Sequence, residues 1–425
     1  MKLSLWEKIF IPVIILWHLI LIFVALNRFS FWLDDSVQYV TIAENLRNFG
    51  SYSQCYLQPE IPDVQRTPGY PFSLYILGGV PLLVLFFQHL AVFWIARNLY
   101  LSARLFYSEQ TARLTAYFWL LQPFTVHYAS LMLAEIFAIA WLSYGVFKTL
   151  KFIRLRKVPD AVLSILAICI GAYFKPVLLV VIPVFLISGL LFLIFDNKWA
   201  YVIWLIIIPI TTLLPWYLRN ASVSGRFTFS TVGDISMFYG RLGAVEALKR
   251  GFPMDEHHAV LAGDLHIAES VGQPVFKQYV SDYQTHETEL LSASANKESL
   301  RFLFKNPVQT LRLIVTAGLR MYQGVGYRTA EHITGSKLYA FVTSAIQASV
   351  LLLFAVSFLL YISNFLEAHF VHHWTFGIVL LLMLAGATAW ADGRYRFMAD
   401  LLLTLQVASL ISRIWEYIFP DTADN

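Results

Sequence analysis

Two adjacent aspartates, Asp34 and Asp35, are residues whose type could carry chemistry. They open a stretch with helical spacing, in which either acid could be the N-cap and Gln38, three residues after Asp35, completes a capping-box pattern. A carboxylate can also take a proton from an attacking hydroxyl group and so act as a general base. Because two acids beside a membrane are costly unless water or a partner compensates them, the helix cap and the catalytic base both stay open as interpretations.

Further charged and polar residues lie where apolar stretches end, and they carry both signs of charge. They are Arg66, Glu135, Lys175, Arg219 with Asn220, and Arg394 with Arg396. Each could be only an anchor at a membrane interface. Together with the aspartates, however, they place carboxylates and cations on one predicted face of the membrane, which favours an active site over scattered anchors.

These residue types permit one specific kind of chemistry. A carboxylate can serve as the base, while arginine and lysine can hold a phosphate and stabilise it as it departs, best where water is partly excluded. Both requirements meet in the transfer of a sugar from a lipid phosphate to an alcohol. Such a reaction needs no bound nucleotide, since the activated sugar arrives in the bilayer.

The composition indicates that membrane-spanning helices must position these residues. Of the 425 residues, 58% are hydrophobic and 14% are charged, against roughly 45–50% and about 25% in soluble domains. The apolar fraction excludes disorder, collagen and coiled coil, and the low charge excludes a soluble globule. The net charge of +4 does not indicate a nucleic-acid partner, because the basic residues form short clusters between apolar runs.

We therefore predict an all-α polytopic membrane protein with about 10 spans, in a range of about 10–12. The clearest spans are predicted at 9–26, 81–96, 177–195, 199–216, 340–360 and 397–414. Shorter or broken spans are predicted at 114–126, 136–150, 161–174 and 376–390.

The basic clusters set the predicted orientation. In a ten-span topology they fall on one side, which is predicted to be cytoplasmic together with both chain termini. The first loop, 30–69, then lies outside. The predicted division is an N-terminal transmembrane catalytic module at 1–220, an outer, mostly helical soluble segment at 221–306, and a C-terminal part at 307–425 with an interfacial helix and transmembrane helices.

The ordered set of motifs resembles the GT-C integral-membrane glycosyltransferases, and within them the bacterial protein-mannosyltransferase-like and aminoarabinose-transferase-like branch. The blocks that carry the resemblance run through nearly the whole chain and are Asp35–Ala43, Arg66–Pro71, Glu135, Lys175–Pro176, Pro215–Asn220 and Arg394–Arg396. Each block is weak by itself, and the specificity comes from their order and spacing. The chain departs from the family where it has Ser36 after Asp35 instead of an Asp-Glu pair, and Lys175 instead of arginine before the proline.

The resemblance implies an inverting transfer of a sugar from a polyprenyl-phosphate donor to an acceptor hydroxyl on the outer face of the membrane. The family's first-loop aspartate registers onto Asp35, because a tyrosine follows four residues on and an alanine eight residues on. Asp35 is then the general base, Asp34 its support or alternate, and Glu135 an orienting group. The donor-phosphate candidates are Arg394, Arg396, Arg66, Lys175 and Arg219, with the first two preferred. The sugar or acceptor candidates are Tyr39, Tyr70, Tyr395 and Asn220.

The predicted partners are the polyprenyl-phosphate sugar donor, a glycan, lipid or protein acceptor, and the bilayer. The predicted location is the plasma (inner) membrane of a bacterium, with the site facing the periplasm or exterior. No cofactor or metal is predicted, since His257, His258 and His266 lack the tight spacing of a metal site. A divalent cation at the two aspartates is not favoured, although metal-dependent relatives exist.

Three other functions stay open at this point. A polysaccharide polymerase or ligase with a diphosphate-linked lipid donor could rest on arginines without an acidic pair. A transporter or flippase would place charges and broken helices near the bilayer midplane, often in two matching halves. A non-catalytic scaffold would leave the paired aspartates unexplained.

Overall fold

The computed structural model describes residues 5–256, 293–363, 370–391 and 393–418. Within these ranges every regular element is a helix and there is no strand, so the predicted all-α fold class is confirmed. The histidines at 257, 258 and 266 lie outside the described residues, as does much of the predicted outer segment.

Helices account for most of residues 5–224. They are α1 (Leu5–Asn27), α2 (Asp34–Phe49), α3 (Gly69–Ile76), α4 (Pro81–Arg104), α5 (Glu109–Leu120), α6 (Pro123–Ala129), α7 (Glu135–Leu155), α8 (Val158–Phe174), α9 (Ile182–Phe195) and α10 (Val202–Ser224). Short 3-10 helices at Pro176–Val181 and Trp199–Tyr201 precede α9 and α10.

The described residues from 232 onwards are also mostly helical. Their elements are α11 (Val232–Ile235), a π-helical segment at Ser236–Gly243, α12 (Ala244–Lys249), a 3-10 helix at Met254–Glu256, α13 (Ala293–Lys305), α14 (Pro307–Gln323), α15 (Tyr327–Thr334), α16 (Lys337–Ser363), α17 (Phe370–Gly386) and α18 (Gly393–Ile418).

The protein is a multi-pass membrane protein. Among the described residues, six helical segments are long and apolar enough to cross a membrane, by length and composition. They are Glu7–Asn27, Pro81–Arg104, Glu135–Leu155, Pro176–Phe195, Trp199–Ser224 and Lys337–Ser363. Helices α8 and α17 are shorter apolar helices, and α18 contains the predicted span at 397–414.

One predicted span, at 114–126, is not a continuous helix. Helix α5 ends at Leu120, and Gln122 is extended before α6 begins at Pro123. Proline has no N–H to continue a helix, and its ring pushes the preceding residue out of the helical region. The predicted span at 114–126 is therefore two helices with a break between them. The apolar pattern continues across Pro123, but a continuous helix cannot.

Three helix ends meet at one end of the bundle, which we call the site end. Glu135 begins α7, Lys175 follows α8 directly, and Arg394 is the second residue of α18. Salt bridges join these three side chains, so chain reversals between spans bring together residues that are up to 259 positions apart.

Helix α2 begins one residue before Asp35, but neither aspartate is its N-cap. The N-cap is Leu33, whose N–H donates to Ser36 Oγ at 3.0 Å. The predicted capping box with Gln38 is therefore wrong, because the serine hydroxyl already satisfies the exposed backbone group. As a result, the side chains of Asp35 and Gln38 are available for contacts with other elements.

A glycine sets how closely the first loop approaches α8. A Cβ atom on Gly69, at the start of α3, would lie 2.7 Å from the carbonyl oxygen of Tyr173. Backbone atoms cannot rotate away as a side chain can. Glycine at this position therefore lets α3 rest directly on the end of α8, two residues before Lys175.

Gly69→Ala is expected to destabilise the protein, since the added methyl group overlaps this backbone. Overpacking of this kind costs about 1–3 kcal/mol. Gly377→Ala in α17 is the matched control, because a Cβ there meets nothing within 4 Å and alanine favours a helix over glycine by about 1 kcal/mol. Thermal unfolding in detergent micelles measures both. Equal unfolding temperatures would contradict the close approach of α3 and α8.

Candidate active site

Asp35 is held by two guanidinium groups from distant parts of the chain. Arg66 Nη2 lies 2.5 Å from Asp35 Oδ1, and Arg394 Nη2 contacts the other oxygen, Oδ2. Both oxygens of the carboxylate are therefore paired with a cation. Arg66 belongs to the loop before α3, so the first loop and α18 meet at this one carboxylate.

A second carboxylate, Glu135, shares a cation with the first. Arg394 Nε lies 2.5 Å from Glu135 Oε1, and Lys175 Nζ lies 2.9 Å from the same oxygen. Arg394 thus bridges Asp35 and Glu135. With Arg66, these residues form a cluster of three cations and two carboxylates, which leaves one net positive charge; we call these five residues the charge cluster.

The charge cluster is largely removed from water, and one of its oxygens has no protein partner. The side chain of Glu135 is 3% exposed, and within the described residues its Oε2 atom accepts no hydrogen bond. A buried carboxylate oxygen without a donor is costly. Glu135 Oε2 therefore suits a hydroxyl or amino group brought by a ligand.

Helix α2 supplies more than Asp35 to the charge cluster. Gln38 Oε1 accepts a hydrogen bond from Arg66 Nε at 2.7 Å, and the Arg66 guanidinium lies 5.1 Å from the centre of the Tyr39 ring. The Tyr39 ring meets Tyr70 edge to face at 5.0 Å, and the Tyr70 hydroxyl donates to Gln88 at 2.7 Å. Of the predicted sugar-site tyrosines, Tyr39 therefore lies against the cluster, and Tyr70 packs on the Tyr39 ring.

Two glycines allow the start of α18 to reach the cluster. A Cβ on Gly393 would lie 2.7 Å from the carbonyl oxygen of Gly324, and a Cβ on Gly324 would overlap the backbone of Gly393. The C-terminal end of α14 and the first residue of α18 therefore touch backbone to backbone, immediately before Arg394. The sequence does not reveal this contact, since nothing local marks two glycines 69 positions apart as neighbours.

Arg396, one of the two preferred phosphate candidates, lies outside the charge cluster. Its side chain is 0% exposed, and Nε is 2.8 Å from Asp400 Oδ1. Nη1 also donates to the carbonyl oxygens of Met321 and Gly324. A guanidinium engaged in this way inside the bundle ties α18 to the end of α14, which corrects the predicted position of Arg396 in a phosphate site.

The remaining predicted site residues are also placed apart from the cluster. Arg219 donates to the carbonyl oxygen of Asp63, and Asn220 donates to that of Thr228 at 2.9 Å. Asp34 and Tyr395 are exposed. The structure therefore brings together Asp35, Glu135, Arg66, Lys175, Arg394, Tyr39 and Tyr70, and adds Gln38.

The electrostatic setting of Asp35 works against its use as a base while both guanidinium groups contact it. Burial raises its pKa, but the positive charges of Arg66, Arg394 and Lys175 outweigh that effect and hold the pKa well below its usual range. A carboxylate that binds protons so weakly is a poor proton acceptor. Asp35 can become a better base only if one of its cations is drawn away.

The described ranges contain no group of three or more His, Cys, Asp or Glu residues arranged to hold an ion. Arg66, Lys175 and Arg394 bring positive charge to the site. Two of the three cations are planar guanidinium groups and the third is an ammonium group. Both types of group bind the oxygens of a phosphate.

No protein-family model and no curated protein matches the chain. Among solved structures, the chain is similar to ArnT from Cupriavidus metallidurans bound to undecaprenyl phosphate, with 12% identity and a TM-score of 0.43 over 96% of this chain and 79% of ArnT. It is also similar to the archaeal oligosaccharyltransferase AglB from Archaeoglobus fulgidus, in complex with an inhibitory peptide and a dolichol-phosphate, with 12% identity and a TM-score of 0.47. That match covers 99% of this chain and 52% of AglB, so the chain spans about half of its length.

The two arginines of α18 are expected to respond differently to substitution. Arg396→Met leaves Asp400 buried without its cation, and breaking such a pair costs about 3–5 kcal/mol. Arg394→Met is expected to cost less stability, because Asp35 keeps Arg66 and Glu135 keeps Lys175. Thermal unfolding of the purified variants in micelles measures this order. The opposite order would contradict the placement of Arg396 in the bundle and Arg394 in the cluster.

Proposed function

We propose that the protein is an inverting glycosyltransferase that moves a sugar from a polyprenyl-phosphate donor to an acceptor hydroxyl at the site end of the membrane bundle. The observation that carries this proposal is the charge cluster, in which salt bridges link Asp35, Glu135 and three cations. The same cluster contains a base for the acceptor and the positive charge that a departing phosphate needs.

The donor phosphate is held by the cations of the cluster. Arg394, Lys175 and Arg66 come from three separate elements, and their side chains converge on the two carboxylates. The single net positive charge of the cluster favours an added anion. Since these side chains are partly buried, their attraction to a phosphate is stronger than it would be in water.

Donor binding prepares Asp35 for its role as base. A phosphate that takes hydrogen bonds from Arg394 competes with Asp35 for the same guanidinium. Once that contact is weakened, the pKa of Asp35 rises towards its usual range, because one of the charges that lowers it is now balanced by the phosphate. The base therefore becomes active only when the donor is in place.

The sugar is transferred by a single displacement at its anomeric carbon. The acceptor oxygen attacks the anomeric carbon as its proton passes to Asp35, and the bond between that carbon and the phosphate oxygen breaks. The phosphate leaves with the bonding electrons, and the cations stabilise its charge. Attack opposite the leaving group inverts the anomeric centre. Glu135 Oε2 is suited to accept a hydrogen bond from the sugar, which Tyr39 and Tyr70 flank.

The reaction takes place at the outer face of the membrane. The donor reaches the site from the bilayer, and the acceptor is a hydroxyl group of a glycan, lipid or protein. The site faces the periplasm or exterior of a bacterial inner membrane, with both termini in the cytoplasm. This orientation is supported by the basic clusters of the sequence, which all fall on the opposite side of a ten-span topology.

Asp35→Asn is expected to remove turnover, with a loss of roughly 10²–10⁴-fold that is typical of a missing general base. The matched comparison is Asp34→Asn, which neutralises the adjacent but exposed acid and should retain most activity. The rate is measured in proteoliposomes as consumption of polyprenyl-phosphate sugars, with mass spectrometry of the lipid fraction.

Each result has a distinct meaning. Loss of activity only in the Asp34 variant would transfer the role of base to that residue. Normal activity of Asp35→Asn would contradict the mechanism. Consumption of a diphosphate-linked lipid donor in place of the monophosphate would favour the polymerase or ligase function.

A further inference from the structure

A buried aspartate in the first loop, Asp63, holds the backbone of Arg66. The Asp63 side chain is 4% exposed. Its Oδ2 atom accepts a hydrogen bond from the backbone N–H of Arg66 at 2.8 Å, and Oδ1 accepts one from Gln65 at 3.2 Å. An aspartate that bonds the N–H groups two and three residues ahead closes a tight turn. The direction in which Arg66 leaves this turn is thereby fixed.

The turn is anchored to α10 through Arg219. Arg219 Nη1 donates to the carbonyl oxygen of Asp63 and, at 2.9 Å, to Asn220 Oδ1. Its guanidinium lies 5.1 Å from the ring centre of Tyr52 and 4.9 Å from that of Trp216. A planar guanidinium that contacts two aromatic rings is well fixed. Arg219 therefore joins the turn to a transmembrane helix.

Tyr52 closes the same turn from the other side. Its carbonyl oxygen accepts from the N–H of Asp63 at 2.8 Å, and its hydroxyl donates to the carbonyl oxygen of Arg66 at 2.9 Å. The segment after α10 adds a further contact, since Ser230 Oγ donates to the carbonyl oxygen of Gln65 at 2.5 Å. The N–H of Thr231 donates to the carbonyl oxygen of Val64 at 3.2 Å, so every residue of the turn from 63 to 66 is hydrogen-bonded through its backbone.

We propose that Asp63 and Arg219 are positioning residues, which hold the turn at 63–66 so that the Arg66 guanidinium meets Asp35 and the donor phosphate. This inference rests on the proposed function. It gives Arg219 a role different from the predicted one: Arg219 acts through Arg66 and does not itself bind the phosphate. It also explains why an acidic side chain lies buried in a loop, because only a carboxylate offers two acceptor atoms to two adjacent N–H groups.

The protonation state of Asp63 is expected to give this role a pH dependence. Burial raises its pKa to about 6, and the N–H groups of Arg66 and Gln65 and the charges of Arg66 and Arg219 offset only part of that rise. Besides these two arginines, the Tyr52 hydroxyl faces the turn. Below pH 6 the carboxylate gains a proton and loses its charge and much of its strength as an acceptor. The KM for the polyprenyl-phosphate sugar is therefore expected to rise as the pH falls through 6.

The experiment compares Asp63→Ala, Arg66→Ala, the double variant and Asp63→Asn in the full chain in proteoliposomes. The control is Glu60→Gln, which neutralises an exposed acid of the same loop. Asp63→Ala is expected to raise the KM for a polyprenyl-phosphate sugar about tenfold, the loss expected for a charge-assisted hydrogen bond. In the Arg66→Ala background it should add little, because the two residues act as a unit. Asp63→Asn should lack the fall in activity near pH 6.

If the KM increases of Asp63→Ala and Arg66→Ala multiply in the double variant, the two residues act independently and the inference is overturned. A KM for Asp63→Ala equal to that of the Glu60→Gln control would also overturn it. Hydrogen exchange provides a test without any donor. The amides of Gln65 and Arg66 should exchange much faster in Asp63→Ala and not in Glu60→Gln, and unchanged exchange would also overturn the inference. If the unaltered protein shows no turnover, only the proposed function is contradicted. Hydrogen exchange at Gln65 and Arg66 would still test whether Asp63 holds the turn.

Discussion

Arg394 lies between two carboxylates that belong to different helices, and the arrangement of the site end depends on this bridge. It contacts Asp35 of α2 on one side and Glu135 of α7 on the other. Without a shared cation, two partly buried carboxylates would repel each other and would each lose the solvation that water provides. Because Arg66 and Lys175 complete the pairing, the first loop, α7, α8 and α18 are all held at one point.

The same bridge has a part in the proposed reaction. The cations that stabilise the carboxylates are also the groups that a phosphate would bind, so in the proposal a donor phosphate and Asp35 compete for them. This competition would let one residue be a well-paired anion and also a base during transfer. It would also order the events, because the acceptor hydroxyl would lose its proton to Asp35 only after the donor phosphate has bound Arg394.

Much of this arrangement could be predicted from the sequence, for physical reasons that particular residues illustrate. Apolar runs located most of the spans, and the alternation of spans placed Glu135, Lys175 and Arg394 at the same end. The break at Gln122 and Pro123 could also have been inferred, since proline interrupts a helix. The prediction placed Arg394 and Arg396 in one phosphate site. On a helix, two positions correspond to a rotation of about 200°, so the two side chains point to opposite sides, and Asp400 lies one turn after Arg396 as its partner. Asp63 could not be found, because its role depends on contacts with α10 more than 150 residues away.

A structure determined by electron microscopy with a polyprenyl phosphate bound tests the central claim most directly. We expect the phosphate oxygens to accept hydrogen bonds from Arg394 and from Lys175 or Arg66, and the contact between Arg394 and Asp35 to be lost or lengthened. Asp35 should then retain Arg66 and face the space that an acceptor hydroxyl would occupy. A phosphate bound elsewhere, with Arg394 still paired to Asp35, would contradict the proposal that the donor competes for the cation that restrains the base.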